Sequence, residues 1–465
     1  MSLTSEIDPC LLSATRLSDA IRHGELSCVE VMRSYLDRIS RLNPALNAIV
    51  SLRPEKACLA EAAAADQALA DGDYQGWLHG MPFAVKDLSN VAGMPTTYGS
   101  RLFPDHIAGK DDPHIAAIRG GGAIFIGKTN TPEWGLGGQT YNALFGTTRN
   151  ALNPGWTAGG SSGGAAAAVA GGLLPVADGS DMMGSLRTPA AFNGIFGFRP
   201  SHGRVPGVHA DDDLSVLGPM ARSVDDLIRL FLTMAADDAS GLEPLPEAHR
   251  FQPRQAQTPR LGWMADLGRH LPVEPGLLDV SLQTLRDQAQ IAPCCPEFDL
   301  GRLWQAWLAL RARVFFGDRR IYARDKNKRR MGEAWRWEIE QGFSVDETML
   351  AAAEQTRRAW QEALASLFDT FDFLVLPATQ VFPFSADVAY PDAVAGRPRD
   401  SYHHWLEVSI GATLAGLPTV SLPAGFNQQG QPVGIQVMGP RGQDRALLEW
   451  ALGWECPSAQ RPLAT

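Results

Sequence analysis

Two glycine-rich segments, each carrying serine, lie close together in the middle of this 465-residue chain. Residues 159–164 read GGSSGG and residues 179–187 read GSDMMGSLR, with an alanine-rich run between them. Glycine is used where the backbone turns through positive φ or approaches a ligand closely, and backbone N–H groups ahead of a helix favour developing negative charge. A flexible surface loop accounts for one such segment. Two of them with a helix between predict a single site that stabilises an oxyanion.

The sequence pattern changes near residue 80, from helical periodicity to short apolar runs. Residues 12–72 predict helices, because residues 27–30 (SCVE) form a capping box ahead of apolar residues at helical spacing, and this helix is expected to end before Pro44. Beyond residue 80, short apolar runs between glycine and proline predict the buried strands of a mixed sheet, at residues 82–85, 123–126 and 173–177.

The second half of the chain repeats this alternation. Residues 302–368 return to a helical pattern, in which the basic run at 326–330 (KNKRR) is interpreted as a solvated helix face rather than an anion site. Residues 419–422 and 433–438 predict two strands joined by a turn, followed by a helix from about Asp444. From this alternation of helical and strand patterns alone, the predicted fold class is α/β.

Composition excludes several classes of protein. The formal net charge of −10 argues against a nucleic-acid-binding surface, and the apolar run at 165–176 is too short and too broken by glycine and proline for a membrane span. The cysteines lack C-x-x-C spacing, and the first residues lack a secretory signal pattern, so we expect a reduced cytoplasmic protein without a structural metal. These cysteines are Cys10, Cys28, Cys58, Cys294, Cys295 and Cys456.

The GGSSGG segment also satisfies G-x-S-x-G twice, so a nucleophile elbow of the α/β-hydrolase type is one alternative. That motif follows a strand, whereas residues 153–158 contain proline and glycine and have little strand character. His403 or His404 with Asp372 would have to complete such a triad. A phosphate-binding loop is favoured less, because no Gly-Lys-Ser/Thr ends the glycine run.

Lys86 closes the apolar run at residues 81–85. A lone lysine at the end of a strand is usually a solvated surface charge. If this strand end is buried, however, desolvation lowers the pKa of the lysine and leaves a neutral amine as a general base. Serine hydroxyls need such a base to become nucleophiles.

Three separated motifs, Lys86, GGSSGG and GSDMMGSLR, closely resemble the amidase signature family in order and spacing. Ser161 follows Lys86 by 75 residues, and Ser185 follows Ser161 by 24. The resemblance runs from about residue 10 to 455, is strongest over 80–205 and is weak over 240–370. Supporting phrases are GKTNTPE at 127–133, FGTTRN at 145–150, FGFRPS at 196–201, AGLP at 415–418 and PVGIQ at 432–436.

The resemblance implies a single-domain amidase signature fold, in which helices cover both faces of a twisted mixed β-sheet. Its parts would be an N-terminal helical layer over about 10–72, a signature core over about 80–205, a variable helical region over about 240–370, and C-terminal strands with a helix over about 371–455. It also implies cleavage of a C–N amide bond through an acyl-enzyme, with no metal or organic cofactor.

The resemblance further assigns roles in a Ser-cisSer-Lys triad. Ser185 would be the nucleophile, and Ser161, joined to Gly160 by a cis peptide bond, would relay protons between Ser185 and neutral Lys86. Ser162 would orient Lys86, while Asp181 and Arg187 would form a structural pair. The oxyanion hole would consist of the main-chain N–H groups of Met182, Met183, Gly184 and Ser185.

Met183 departs from the family pattern, which usually has glycine before Gly184. A non-glycine residue at positive φ is costly, so either this position does not need positive φ or the loop is slightly re-formed. The methionine side chain could instead line the pocket, so the departure bears on acyl-group preference more than on mechanism.

The expected partner is a small-molecule amide, whose identity the sequence does not reveal. Two alternatives stay open: a glutamine-hydrolysing component of a tRNA-dependent amidotransferase, which would need partner subunits, and a catalytically silent interaction protein. The sequence leaves the oligomeric state open, and exposed N-terminal helices are compatible with a homodimer.

Overall fold

The computed structural model describes residues 8–207, 212–236, 242–253 and 259–455, and Cys456 lies outside these ranges. The α-helices, numbered in chain order, are α1 (Ala14–Arg22), α2 (Cys28–Leu46), α3 (Glu55–Ala70), α4 (Pro113–Gly120), α5 (Gly163–Ala170), α6 (Arg187–Asn193), α7 (Val224–Met234), α8 (Leu277–Gln288), α9 (Gly301–Phe315), α10 (Arg319–Tyr322), α11 (Asp325–Lys328), α12 (Glu333–Gly342), α13 (Glu347–Phe368), α14 (Ile410–Ala415) and α15 (Asp444–Ala451). The strands are β1 (Ile49–Val50), β2 (Pro82–Lys86), β3 (Ile124–Thr129), β4 (Tyr141–Asn142), β5 (Gly146–Thr147), β6 (Val176–Asp181), β7 (Phe196–Arg199), β8 (Val216–Ala221), β9 (Arg260–Trp263), β10 (Gln290–Pro293), β11 (Phe373–Pro377), β12 (Ala393–Val394), β13 (Arg397–Pro398), β14 (Thr419–Phe426) and β15 (Pro432–Met438).

The larger sheet has eight strands in the order β10-β9-β11-β15-β14-β7-β8-β6. Strands β10, β9 and β11 are parallel, and the other neighbouring pairs are antiparallel. Adjacent residues of a strand point to opposite faces. A Cβ on Gly197 would meet Ala190 of α6, whereas Phe198 packs edge-on against Phe231 of α7, with ring centroids 5.0 Å apart. Helices therefore cover both faces of this mixed sheet, which confirms the predicted fold class.

A smaller sheet, in the order β1-β3-β2, contains the first two predicted strands. The prediction that they belong to the main sheet is wrong, because β2 and β3 pair with each other and β3 pairs on its other side with β1. The two sheets meet where the backbone N–H of Lys86 donates to Oδ1 of Asp178 in β6, at 3.0 Å. The third predicted strand starts late, at Val176, after Pro175, which has no N–H to donate.

Several local predictions are confirmed. The capping box at the start of α2 has both of its hydrogen bonds, between Ser27 and Glu30. Strands β14 and β15 form an antiparallel pair around the predicted turn, and α15 begins at Asp444. The helical region after residue 300 packs around four buried tryptophans: Trp304, Trp307, Trp335 and Trp360.

The predicted end of α2 is wrong, because the helix continues through Pro44 and stops at Leu46. Asn47 follows in the left-handed conformation, with φ 50°. The side chain of Asn43 holds this exit, since its Oδ1 accepts the N–H groups of the two following residues, Ala48 and Ile49, each at 2.9 Å. A proline in the last helical turn is thereby accommodated by a side-chain cap.

The alanine-rich run forms α5, and all eight of its residues are buried. Its first two residues have no room for a side chain. A Cβ on Gly163 would overlap the hydroxyl of Thr140, and one on Gly164 would overlap the backbone of Asn130. This close approach draws the serine-bearing loop before α5 into the interior, between the small sheet and β6.

Within the described residues, no helix is both long and apolar enough to span a bilayer.

Candidate active site

Lys86 ends strand β2 inside the protein, with 1% of its surface exposed. Three serine hydroxyls surround its amino group: Oγ of Ser161 at 2.8 Å from Nζ, Oγ of Ser162 at 2.8 Å and Oγ of Ser180 at 2.9 Å. A neutral amine has two N–H bonds and one lone pair, so it can donate two hydrogen bonds and accept a third. Three uncharged hydroxyls match that capacity.

The hydrogen bond made by Ser162 fixes its role in this cluster. Its hydroxyl donates to the main-chain carbonyl of Ser180, at 3.3 Å, so its oxygen accepts from Lys86. The lone pair of the amine is then available to one of the other two hydroxyls. Ser161 and Ser180 both line the cavity, so a proton transfer through either hydroxyl can reach a substrate.

Burial lowers the pKa of Lys86 to about 7, against the opposing effects of the carboxylates of Asp178 and Asp181. Burial also raises the pKa of Asp178 to about 6. Oδ2 of Asp178 has no hydrogen-bond partner among the described residues and lies 4.0 Å from Nε2 of His114. Near pH 7 the lysine is therefore present in substantial part as the free amine.

Ser185 lines a cavity of about 570 Å³ together with Ser161. Its main-chain carbonyl accepts the N–H of Ser162 at 3.4 Å, and the peptide bond between Gly160 and Ser161 is cis. The two glycine-rich segments thus meet at one place. The structure gathers Lys86, Ser161 and Ser185, which the sequence assigned to a single site.

Asp181 and Arg187 are both completely buried and form an ion pair, with Nη2 of Arg187 2.8 Å from Oδ1 of Asp181. A second guanidinium, that of Arg199, lies 3.3 Å from the same oxygen. Burial alone would raise the pKa of Asp181, but the two arginines outweigh it and hold the pKa well below its usual range. This carboxylate is a fixed negative charge.

The carboxylate of Asp181 also shapes the loop that carries Ser185. It accepts the N–H of Gly184 at 2.9 Å and the N–H of Leu186 at 3.0 Å. The Gly184 amide, one of the four expected oxyanion donors, is therefore directed at Asp181 in this structure. The amides of Met183 and Ser185 find no acceptor in the part of the chain that the structure describes.

The loop tolerates Met183 because the positive φ falls on the next residue. Gly184 has φ 86°, whereas Met183 does not adopt positive φ. The Met183 side chain is buried, belongs to the same hydrophobic cluster as Phe192, and lines the cavity. Its effect on acyl-group preference stays a prediction.

Aromatic and aliphatic side chains form much of the cavity wall. Tyr98 and Trp134 stack with ring centroids 4.4 Å apart, and the apolar part of the wall also includes Leu88, Leu136, Val314, Phe315 and Leu406. Asp112, Asp212 and Asp318 contribute carboxylates. The cavity therefore suits an uncharged or cationic organic molecule with an apolar body.

The residues of the elbow alternative are not gathered. Asp372 lies just before β11 and accepts the N–H of Arg260, the first residue of β9, at 2.8 Å. His404 lies 3.4 Å from Glu407, and His403 lies in the cavity wall. The residues before Gly159 form isolated bridges rather than a strand, so the structure gives this alternative no support.

Sequence reasoning missed Ser180, Asp178 and Arg199. Strand alternation could have found the first two, because Asp178 and Ser180 are two residues apart on β6 and share one face. Arg199 reaches Asp181 across the sheet from β7, and no local pattern encodes that contact. No group of three or more metal-ligating side chains occurs within the described ranges.

Comparisons with known proteins identify the family. The sequence model of the Amidase family matches residues 30–448. The chain is 34% identical to a glutamyl-tRNA(Gln) amidotransferase subunit of Thermus thermophilus, covering 95% of this chain and 96% of the relative. It is 30% identical to an acylamidase of Rhodococcus erythropolis, covering 97% and 96%. A solved bacterial aryl acylamidase of the amidase signature family superposes with a TM-score of 0.88 at 26% identity, covering 97% of this chain and 99% of that one.

Proposed function

This chain belongs to the amidase family, and on that premise we propose that it hydrolyses a linear small-molecule amide through an acyl-enzyme formed on Ser185. One observation carries the proposal: the fully buried Lys86 has Nζ 2.8 Å from the hydroxyl of Ser161, in the wall of the cavity that also contains Ser185. A lysine surrounded by hydroxyls rather than by a carboxylate is suited to act as a base.

The acylation half of the reaction uses this chain of hydroxyls. Oγ of Ser185 attacks the amide carbonyl carbon, its proton passes to Ser161, and the proton of Ser161 passes to Nζ of Lys86. The oxyanion of the tetrahedral intermediate accepts hydrogen bonds from the free amides of Met183 and Ser185. One such donor accounts for about 10²–10³ in rate in other hydrolases.

Collapse of the intermediate breaks the C–N bond. The departing amine nitrogen takes the proton that Lys86 returns through Ser161, and the acyl group stays on Ser185. A water molecule then attacks the ester and gives one proton to the same relay. The carboxylic product leaves, and the Ser185 hydroxyl is restored.

Replacing Ser185 with alanine tests the proposal most simply. We expect Ser185→Ala to lose turnover and to resist covalent labelling by a fluorophosphonate, because the acyl-accepting oxygen is gone. Ser162→Ala is the matched control: it removes a neighbouring hydroxyl but should leave Ser185 as the labelled residue in peptide mapping. Undiminished labelling of Ser185→Ala, or a label on Ser162 in the wild type, would contradict the assignment.

A second candidate function is the hydrolysis of glutamine as one component of a tRNA-dependent amidotransferase. The 34% identity to a protein of that kind supports it. The cavity favours the stand-alone enzyme, however, because the carboxylate of glutamine would face several acidic side chains, and Arg311 is already paired with Glu338 at 2.7 Å. Glutaminase activity of the purified chain, without activity on other amides, would favour the amidotransferase component; loss of both would favour a silent interaction protein.

We further propose that the protein is cytoplasmic, because its cysteines lack C-x-x-C spacing. We also propose that it forms a homodimer, which light scattering tests.

A further inference from the structure

Two buried polar side chains that the proposed reaction does not use line the same cavity, Arg311 and His403. Arg311 comes from α9 in the variable helical region, and His403 comes from the segment before α14. Both are nearly inaccessible to solvent, at 5% and 1% exposure. Polar groups with spare hydrogen-bonding capacity are costly at such burial, unless a ligand or water satisfies them.

Arg311 has donors to spare. Its Nε donates to Glu338 at 2.7 Å, Nη2 donates to the hydroxyl of Tyr402 at 2.9 Å, and Nη1 contacts Sδ of Met182 at 3.1 Å. A guanidinium carries five N–H bonds, so these contacts leave two unused, and a thioether sulfur is only a weak acceptor. The Met182 contact also places the guanidinium beside the loop that carries Ser185.

The charge of Arg311 is already neutralised. Glu338 is almost fully buried and faces the guanidinium directly. Further carboxylates line the cavity at Asp112, Asp212 and Asp318. A substrate carboxylate arriving beside Arg311 would meet a cation that Glu338 already neutralises, whereas an uncharged oxygen needs only the unused N–H donors.

His403 supplies a second unfilled position. Its Nδ1 lies 3.2 Å from the hydroxyl of Ser401, while its Nε2 has no hydrogen-bond partner within the described residues. Its ring packs between Trp304 and Trp337, each with a centroid distance of 5.3 Å. When Nδ1 accepts from Ser401, the neutral ring carries its proton on Nε2, which is then a donor.

The proposed reaction bears on which part of the substrate, the acyl group or the leaving amine, lies beside Arg311 and His403. The leaving amine must reach Ser161 to take up its proton, so it lies on the Lys86 side. We therefore assign the acyl group to the part of the cavity that Met182 borders.

We propose that Arg311 and His403 form a subsite for an uncharged hydrogen-bond acceptor, such as a ketone, amide or sulfonyl oxygen, on the acyl part of the substrate. This inference rests on the proposed function and adds a substrate class to it: apolar acyl groups that carry a neutral oxygen at a distance from the scissile bond. The guanidinium and the imidazole donate to that oxygen while the surrounding aromatic wall contacts the apolar chain.

Matched substrates test the subsite in the wild-type enzyme. Oxo-acyl p-nitroanilides of increasing chain length are each compared with the isostere in which C=CH₂ replaces the distal C=O, and with an analogue ending in a carboxylate. At one chain length we expect kcat/KM to favour the ketone over its isostere by roughly tenfold or more, as for a hydrogen bond to a charged donor. The carboxylate should be the poorest of the three.

Variants then assign the preference to the two residues. Arg311→Met combined with Glu338→Gln avoids an unpaired buried charge and should bring the ketone-to-isostere ratio close to one. His403→Phe keeps the ring packing and should lower the ratio in part. Arg313→Met is the matched control, because Arg313 lies on the same helix but pairs with Asp213 at 3.0 Å outside the cavity wall; its ratio should equal that of the wild type.

The results of these experiments distinguish failure of the subsite from failure of the proposed amidase function. Hydrolysis that depends on Ser185 but shows a ratio near one at every chain length overturns the subsite and leaves the proposed function standing. A wild-type ratio that His403→Phe and the double variant both leave unchanged also overturns it, as does a preference for the carboxylate. Failure of the wild type to hydrolyse any of these amides overturns the proposed function and the subsite together.

Discussion

Lys86 and Asp181 are both completely buried ionisable groups beside the same loop, yet their surroundings differ in kind. Lys86 faces three neutral hydroxyls, and burial lowers its pKa to about 7. Asp181 faces two arginines and two amide N–H groups, and its pKa is held well below the usual range. Burial without a directly paired charge produces a base, whereas burial with paired charges produces a rigid scaffold.

The contrast explains why both kinds of site are needed at once. A base that changes protonation state must not be neutralised by a close carboxylate, so Asp181 is turned toward Arg187 and Arg199. In that position it orders the loop through Gly184 and leaves the neighbouring amides free. The proton-accepting amine at the end of β2 and the fixed carboxylate at the end of β6 thus belong to different strands beside the same loop.

The largest expected effect follows from removing the base. Lys86→Met, which keeps most of the side-chain volume, should lower kcat/KM for an amide by about 10²–10⁴, because the relay loses its proton acceptor. Circular dichroism and thermal unfolding establish that the fold is retained. Near-wild-type hydrolysis by a folded variant would contradict the role of Lys86 as the base.

Lys128 is the matched control for that experiment, because it is another buried lysine on the neighbouring strand. Its Nζ donates to the carbonyl of Ser89, and Asp87 lies nearby. Lys128→Met should reduce stability, while its residual activity should keep a rising pH dependence. A loss of that pH dependence in both variants would assign the effect to burial in general rather than to Lys86.

The second effect concerns the scaffold. Asp181→Ala leaves two buried arginines without their shared partner and should lower the free energy of unfolding by about 3–5 kcal/mol. Asp225→Ala, which removes an exposed ion pair with Arg229, should cost less than about 1 kcal/mol. Denaturant unfolding of both variants measures the difference.

The pH dependence of that stability has a definite sign. Because the pKa of Asp181 is lowered on folding, its contribution is fully present above its unfolded pKa of about 3.9 and is lost as pH falls toward the folded pKa. The stability gap between the wild type and Asp181→Ala should therefore narrow in acid. A gap that widens as pH falls would contradict the charge assignment.

The smallest expected effect concerns the carboxylate of Asp178, which lies near Lys86. Asp178 is the carboxylate whose charge most opposes the lowered pKa of Lys86. Asp178→Asn removes that charge while its amide oxygen can still accept the Lys86 N–H, so the rising limb of the pH–rate profile should move to lower pH by up to about one unit. Asp212→Asn neutralises a carboxylate that lines the cavity and should leave the limb in place. A shift of the limb to higher pH in Asp178→Asn would contradict the proposed effect of the Asp178 charge on the pKa of Lys86.

The sequence named residues that the structure brings together around one cavity, but it did not predict the two sheets that hold them. Lys86, the GGSSGG loop and Ser185 are local motifs, and α5 between them follows from its composition. The division into two sheets could not be predicted, because the short apolar runs of β2 and β6 look alike and only their pairing partners distinguish them. Arg199, Arg311 and Glu338 were missed for the same reason, since they reach the site by contacts between distant segments.

The pH dependence of fluorophosphonate labelling at Ser185 tests the central claim most directly, because it follows nucleophile activation without product release. The rate of labelling in the wild type should rise with pH about a midpoint near 7, the pKa of Lys86, and this limb should disappear in Lys86→Met. A labelling rate that is flat across this range in the wild type, or a limb that persists unchanged in Lys86→Met, would contradict the account.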